Sequence, residues 1–64
     1  MIKTNDLKEG MRIEAVGLEG IHDGTVATVE FNKHCGYFAW FGASIRVLEE
    51  LRAGDEYFKI KSAD

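Results

Sequence analysis

Sixty-four residues, with 11 Asp and Glu against 8 Lys and Arg, carry a net charge of −3 and make one domain (1–64) with one small core. A chain of this size buries roughly 60% of the surface its unfolded form exposes, which leaves little volume for a substrate cleft. The acidic balance disfavours phosphate backbones as direct ligands, no apolar run approaches the ~20 residues that span a bilayer, and a single cysteine rules out an internal disulfide. The lone Cys35 and the absence of an apolar leader in residues 1–6 point to a reducing, cytoplasmic setting.

Residues 6–10 read as a lead-in turn, with Gly10 able to take unusual backbone angles. Residues 11–16 alternate: Met11, Ile13 and Ala15 share one face, Arg12 and Glu14 the other, as in a half-buried strand. Residues 17–24 hold three glycines and fit two arrangements. In one, Asp23-Gly24 is a two-residue hairpin turn that sets Ile21 against Val26, with a bulge near Gly17 or Gly20; in the other the segment is a mobile loop.

Residues 25–31 are rich in β-branched side chains and read as the clearest strand. Residues 32–36 form a polar turn that closes a hairpin onto the aromatic run Gly36-Tyr37-Phe38-Ala39-Trp40-Phe41-Gly42. With Phe31 opposite Tyr37, Val29 faces Ala39 and Ala27 faces Phe41, giving one apolar face with Tyr37, Ala39 and Phe41 buried. The other face sets Thr28 and Glu30 beside Phe38 and Trp40, an odd environment for two large rings inside a dry core.

Residues 44–53 are predicted to form a helix: Ser44, Val47, Leu48 and Leu51 share a face, Ser44 can cap the start and Gly54 the end. A strand over 44–51 is the competing assignment. Residues 55–61 close the fold as a strand with Phe58 and Ile60 inward and Tyr57, Lys59 and Lys61 outward. The expected architecture is α+β, an antiparallel sheet of about four strands with one helix on a face. A closed small barrel is the alternative.

Chemistry-bearing residues are sparse. His22, Asp23, His34 and Cys35 form the one group with nucleophile or ligand potential, yet no CxxC-type spacing or fixed cysteine–base pair accompanies them. No catalytic residue, metal site or cofactor site is therefore assigned, and the chain is not expected to be an enzyme. The acidic residues Glu14, Glu19, Asp23, Glu30, Glu49, Glu50, Asp55 and Glu56, with the rings of Phe38 and Trp40, are instead the candidate partner-binding set. The expected partner is a protein with a basic surface, with no direct nucleic acid and no membrane; monomer and homodimer both fit. The plainer alternatives are a solvating acidic surface and four core rings.

The stretch Leu7-Lys8-Glu9-Gly10-Met11-Arg12-Ile13-Glu14-Ala15-Val16, followed by Gly24-Thr25-Val26-Ala27-Thr28-Val29, resembles the opening of Tudor and MBT-type small β-barrels. That resemblance implies a reader of a modified peptide or of nucleic acid, with Tyr37, Trp40 and Tyr57 as the positions for an aromatic cage. By size and charge alone, the chain also resembles phage-encoded acidic inhibitors of the anti-CRISPR type. That likeness implies that its carboxylates imitate phosphates on the basic surface of a nucleic-acid-handling protein.

Overall fold

The computed structural model describes residues 2–64. Along the chain run β1 (Ile2–Lys3), a 3-10 turn (Thr4–Asp6), β2 (Arg12–Ala15), β3 (Val26–Asn32), β4 (Gly36–Phe41) and β5 (Ser44–Val47). A second 3-10 turn (Leu48–Leu51), β6 (Arg52–Ala53), β7 (Glu56–Tyr57) and β8 (Ile60–Ser62) complete it. All strand pairs are antiparallel, in a five-stranded sheet of order β5-β4-β3-β2-β8 and a three-stranded sheet of order β1-β7-β6.

The β3–β4 hairpin has the register read from the sequence: Phe31 faces Tyr37, Glu30 faces Phe38 and Val29 faces Ala39. Its turn is held by the Asn32 side-chain oxygen, which accepts from the His34 amide at 2.7 Å, and by Gly36 at φ 77°. Period-two alternation then sends Ala27, Val29, Ala39 and Phe41 into the core, where they meet Ile13 and Ala15 of β2 and Ile60 of β8. Ile2, Leu7, Leu18, Leu48 and Tyr57 close that core from the remaining elements.

The helix expected over residues 44–53 is absent, and the fold is all-β instead of α+β. The cause lies just upstream. Gly42 takes φ 66° as the first residue of a two-residue turn that sets Ser44 opposite Phe41, the backbone a type II′ hairpin requires. Ser44–Val47 therefore pairs with β4, and only Leu48–Leu51 coils, as a single 3-10 turn. Ser44 is a strand residue, not a helix cap. Gly54, at φ 62°, opens the two-residue β6–β7 turn, which sets Ala53 opposite Glu56.

Of the two arrangements open for residues 17–24 the loop is adopted, and one further expectation is corrected. Asp23-Gly24 is not a hairpin turn, because Val26 lies opposite Glu14 and not Ile21. Residues 16–25 instead form a loop: the Gly17 amide donates to Asp23 Oδ1 at 2.8 Å, the Gly24 amide to the Ala15 carbonyl at 2.9 Å, and Leu18 is buried. At the C-terminal end Tyr57 is buried and Phe58 exposed, the reverse of the predicted parity. The expected single strand is broken at Phe58 and Lys59, so Tyr57 belongs to the small sheet and Ile60 to the large one. The bend between them lets both point inward although they are three residues apart.

Candidate interaction face

The even-numbered residues of β2, β3 and β4 point away from the core, together with the odd-numbered residues of β5. Trp40 stands opposite Ile45, Phe38 between Glu30 and Val47, Thr28 opposite Arg12, and Glu14 between Val26 and Lys61. Every one of these residues therefore lies on a single outer face of the five-stranded sheet. Trp40 is 46% exposed, Ile45 44% and Val26 41%, whereas their chain neighbours Ala39, Phe41 and Ala27 are buried. Phe38 is half-buried. The two rings that the sequence sets beside Thr28 and Glu30 do lie outside the core, Trp40 more so than Phe38.

An open hollow of about 410 Å³ sits on this face, lined by Arg12, Val26, Ala27, Thr28, Glu30 and Trp40. Its lining combines an indole, a hydroxyl, a carboxylate and a guanidinium. Glu14, at the neighbouring position, holds Lys61 Nζ at 3.8 Å from its Oε1. Glu30 is exposed and enters neither of the ion pairs found among the described residues, Glu14–Lys61 and Glu49–Arg52.

The other six carboxylates of the candidate set divide between two other places. Glu19 and Asp23 lie in the loop of residues 16–25, and Asp23 is already engaged as the acceptor for Gly17. Glu49, Glu50, Asp55 and Glu56 gather around the small sheet. There Arg52 Nη2 meets Glu49 Oε1 at 2.8 Å, and the Tyr57 hydroxyl donates to Glu49 Oε2 at 3.5 Å. Arg52 Nη1 also donates to Thr4 Oγ1 at 3.4 Å, and the Thr4 amide and hydroxyl both donate to the Asp55 carbonyl, at 3.0 and 3.2 Å. Burial, and then the Glu49 carboxylate, push the Tyr57 phenol above its ordinary range, partly offset by Arg52. The eight acidic residues thus occupy three regions, and only Glu14 and Glu30 share the face with Trp40 and Phe38.

Tyr37, Trp40 and Tyr57 do not converge on a cage. Tyr37 is on the opposite side of β4 from Trp40, edge-on to Phe31 with ring centroids 5.1 Å apart, and Tyr57 is buried in the core. Phe31 has core-facing parity but lies near the hairpin tip and is 51% exposed, so the apolar face of that hairpin is not buried along its whole length; Tyr37 beside it is half-buried. Cys35 is an exposed free thiol on the same tip. Among the described residues, no three His, Cys, Asp or Glu side chains gather as a metal site, and no helix is long and apolar enough to cross a membrane.

Arg12, Val26, Thr28, Ile45, Val47 and Lys61 lie on this face but outside the binding set read from the sequence. Alternation in β2 and β3 already places Arg12 and Val26 on the outward side. Ile45 was hidden by the helical assignment of its segment. Comparison with protein-family models, with curated proteins and with solved structures yields no match to this chain.

Proposed function

We propose that the chain is an acidic protein-binding module that docks a partner with a basic surface through the outer face around Trp40. The observation that carries this reading is the 46% exposure of the only tryptophan, beside exposed Ile45 and Val26. Aromatic centres with a polar rim are the usual composition of protein interfaces, and tryptophan is the commonest residue to dominate their affinity. Glu14 and Glu30 on the face, and the carboxylates around the small sheet, supply a field that favours a positively charged partner. A small inhibitor of the phage type, occupying the nucleic-acid-binding surface of its target, is the role this charge suits. The exposed thiol of Cys35 suits a reducing compartment such as the cytoplasm.

Affinity capture with the immobilised chain, followed by identification of the bound protein, tests the proposal. A basic partner is expected, whose retention falls with salt, falls with charge reversal at Glu49 and Glu50, and is lost in Trp40→Ala. Capture that is indifferent to Trp40→Ala, or an acidic partner, would overturn it. Cys35→Ser is expected to leave binding unchanged.

A further inference from the structure

We propose that the hollow between Trp40 and Glu30 receives a cationic side chain of the partner, an arginine or a lysine. This inference rests on the protein-binding reading and names the group that the face would recognise.

The chemistry follows from the lining. An indole ring carries negative charge on its faces and is the aromatic side chain that best attracts a cation. Trp40 lines the hollow and is the chain's only tryptophan. Glu30 lines it too, and among the described residues its carboxylate has no ion-pair partner to displace. Thr28, opposite Arg12 and on the strand beside Trp40, offers a hydroxyl that accepts a hydrogen bond as readily as it donates one. A guanidinium or ammonium group is favoured by such a set: an aromatic side chain, a full negative charge and a neutral acceptor.

Arg12 decides where in the hollow the cation sits. It belongs to β2, two strands away from Trp40 on β4, a separation of roughly 9–10 Å between the strand axes. Its charge repels a second cation from the β2 side, so the incoming group seats towards β4, against Trp40 and Glu30. An anion would meet Arg12 but face Glu30 and an aromatic ring, on a chain of net charge −3. Arg12 and Glu30 cancel formally in the lining, so the indole and the net charge of the chain are what favour the cation.

Because Trp40 is the only tryptophan, its fluorescence reports on the hollow directly. The test is titration of the full chain with N-acetylarginine amide and N-acetyllysine amide, with N-acetylcitrulline amide as the neutral match in shape. A saturable change with the two cations, in the millimolar range, and a weaker or absent one with the citrulline compound are expected. Glu30→Gln should weaken cation binding about two- to fivefold, and Arg12→Ala should strengthen it. In Trp40→Leu, where fluorescence is lost, backbone amide shifts at Thr28 and Glu30 should no longer respond to the probes. Equal responses to arginine and citrulline compounds, or indifference to Glu30→Gln, would overturn the inference. Failure of both cationic probes while protein capture still depends on Trp40 would overturn it as well, and would leave the broader binding reading standing.

Discussion

The Tyr57 hydroxyl donates to Glu49 Oε2 at 3.5 Å, which ties β7 to the 3-10 turn that follows β5. The same carboxylate holds Arg52 at 2.8 Å, so one exposed glutamate joins the turn to both β6 and β7. Tyr57 itself pairs with Ile2 on one side and Arg52 on the other. Among the described residues it is the only large polar-tipped side chain in the core.

Tyr57 makes stability sensitive to alkali. Burial first, and the Glu49 carboxylate second, raise its pKa in the folded state above the value of about 10 that an unfolded tyrosine has. The unfolded chain therefore loses this proton first as pH climbs. The contribution is fully present below about pH 10 and is lost as pH rises through the folded-state value. Urea midpoints measured from pH 8 upward should fall beyond pH 10 in the wild type, and Tyr57→Phe should flatten that fall. At neutral pH the same substitution should change stability by about 1 kcal/mol or less.

Adjacent residues 40 and 41 should behave as opposites. Phe41 is 4% exposed, so Phe41→Ala should cost about 3–5 kcal/mol, enough to unfold much of so small a domain. Trp40→Ala should leave a cooperative urea transition, with a loss nearer 1 kcal/mol, because its ring lies on the outer face. Equal losses at the two sites would contradict the assignment of faces.

The segment after β4 gives a spectroscopic test. Circular dichroism should lack the paired minima of an α-helix, since only 3-10 turns are present among the described residues. Leu48→Ala should cost about 2–5 kcal/mol, as Leu48 is completely buried where the chain leaves β5. Substituting Glu50, exposed on the same turn, should change stability by no more than about 0.5 kcal/mol.

Gly42 should be intolerant for conformational reasons alone. A Cβ built at this position meets nothing within 4 Å, yet φ is 66°. Gly42→Ala should therefore cost about 1–3 kcal/mol, because the first position of a type II′ turn is one where glycine alone is unstrained, and Gly42→Asn should bring no relief, since asparagine tolerates the αL region and not this one. Chemical denaturation of the two variants beside the wild type would rank them.

The parts of this fold legible in the sequence are those where several local signals agree. The β3–β4 hairpin combines a β-branched strand, a polar turn ending in glycine and an alternating partner; a one-residue slip would have exchanged its faces, and the structure adopts the register with Phe31 opposite Tyr37. Trp40 was left between two readings, since pairing beside Thr28 argued for exposure and the size of its ring for burial, and the structure leaves it 46% exposed. Residues 44–51 carry Ile45, Val47, Leu48 and Leu51, a spacing that serves a helical face as well as a short strand followed by a tight turn. The deciding influence was Gly42, outside the window being read. Tyr57 was assigned to the wrong face because alternation holds only within one continuous strand, and the bend at Phe58 and Lys59 interrupts it. The scatter of carboxylates over three regions depends on the path of the loop between β2 and β3 for Glu19 and Asp23 and on the small sheet for Glu49, Glu50, Asp55 and Glu56, neither of which local patterns encode.

The pairing of β1 with β7 has a consequence for the order in which this protein assembles. Ile2 finds its partner at Tyr57, and the Thr4 amide finds its acceptor at Asp55. Closing so long a stretch of chain is entropically costly, whereas the β3–β4 hairpin joins residues separated by a short turn. The hairpin is therefore the natural nucleus, and the small sheet docks late. Destabilising changes around Val29 and Ala39 should slow folding, while changes at Ile2 should mainly hasten unfolding. Lifetime in the folded state would then be set by the hold of a two-residue strand on Tyr57, and not by the sheet that carries Trp40.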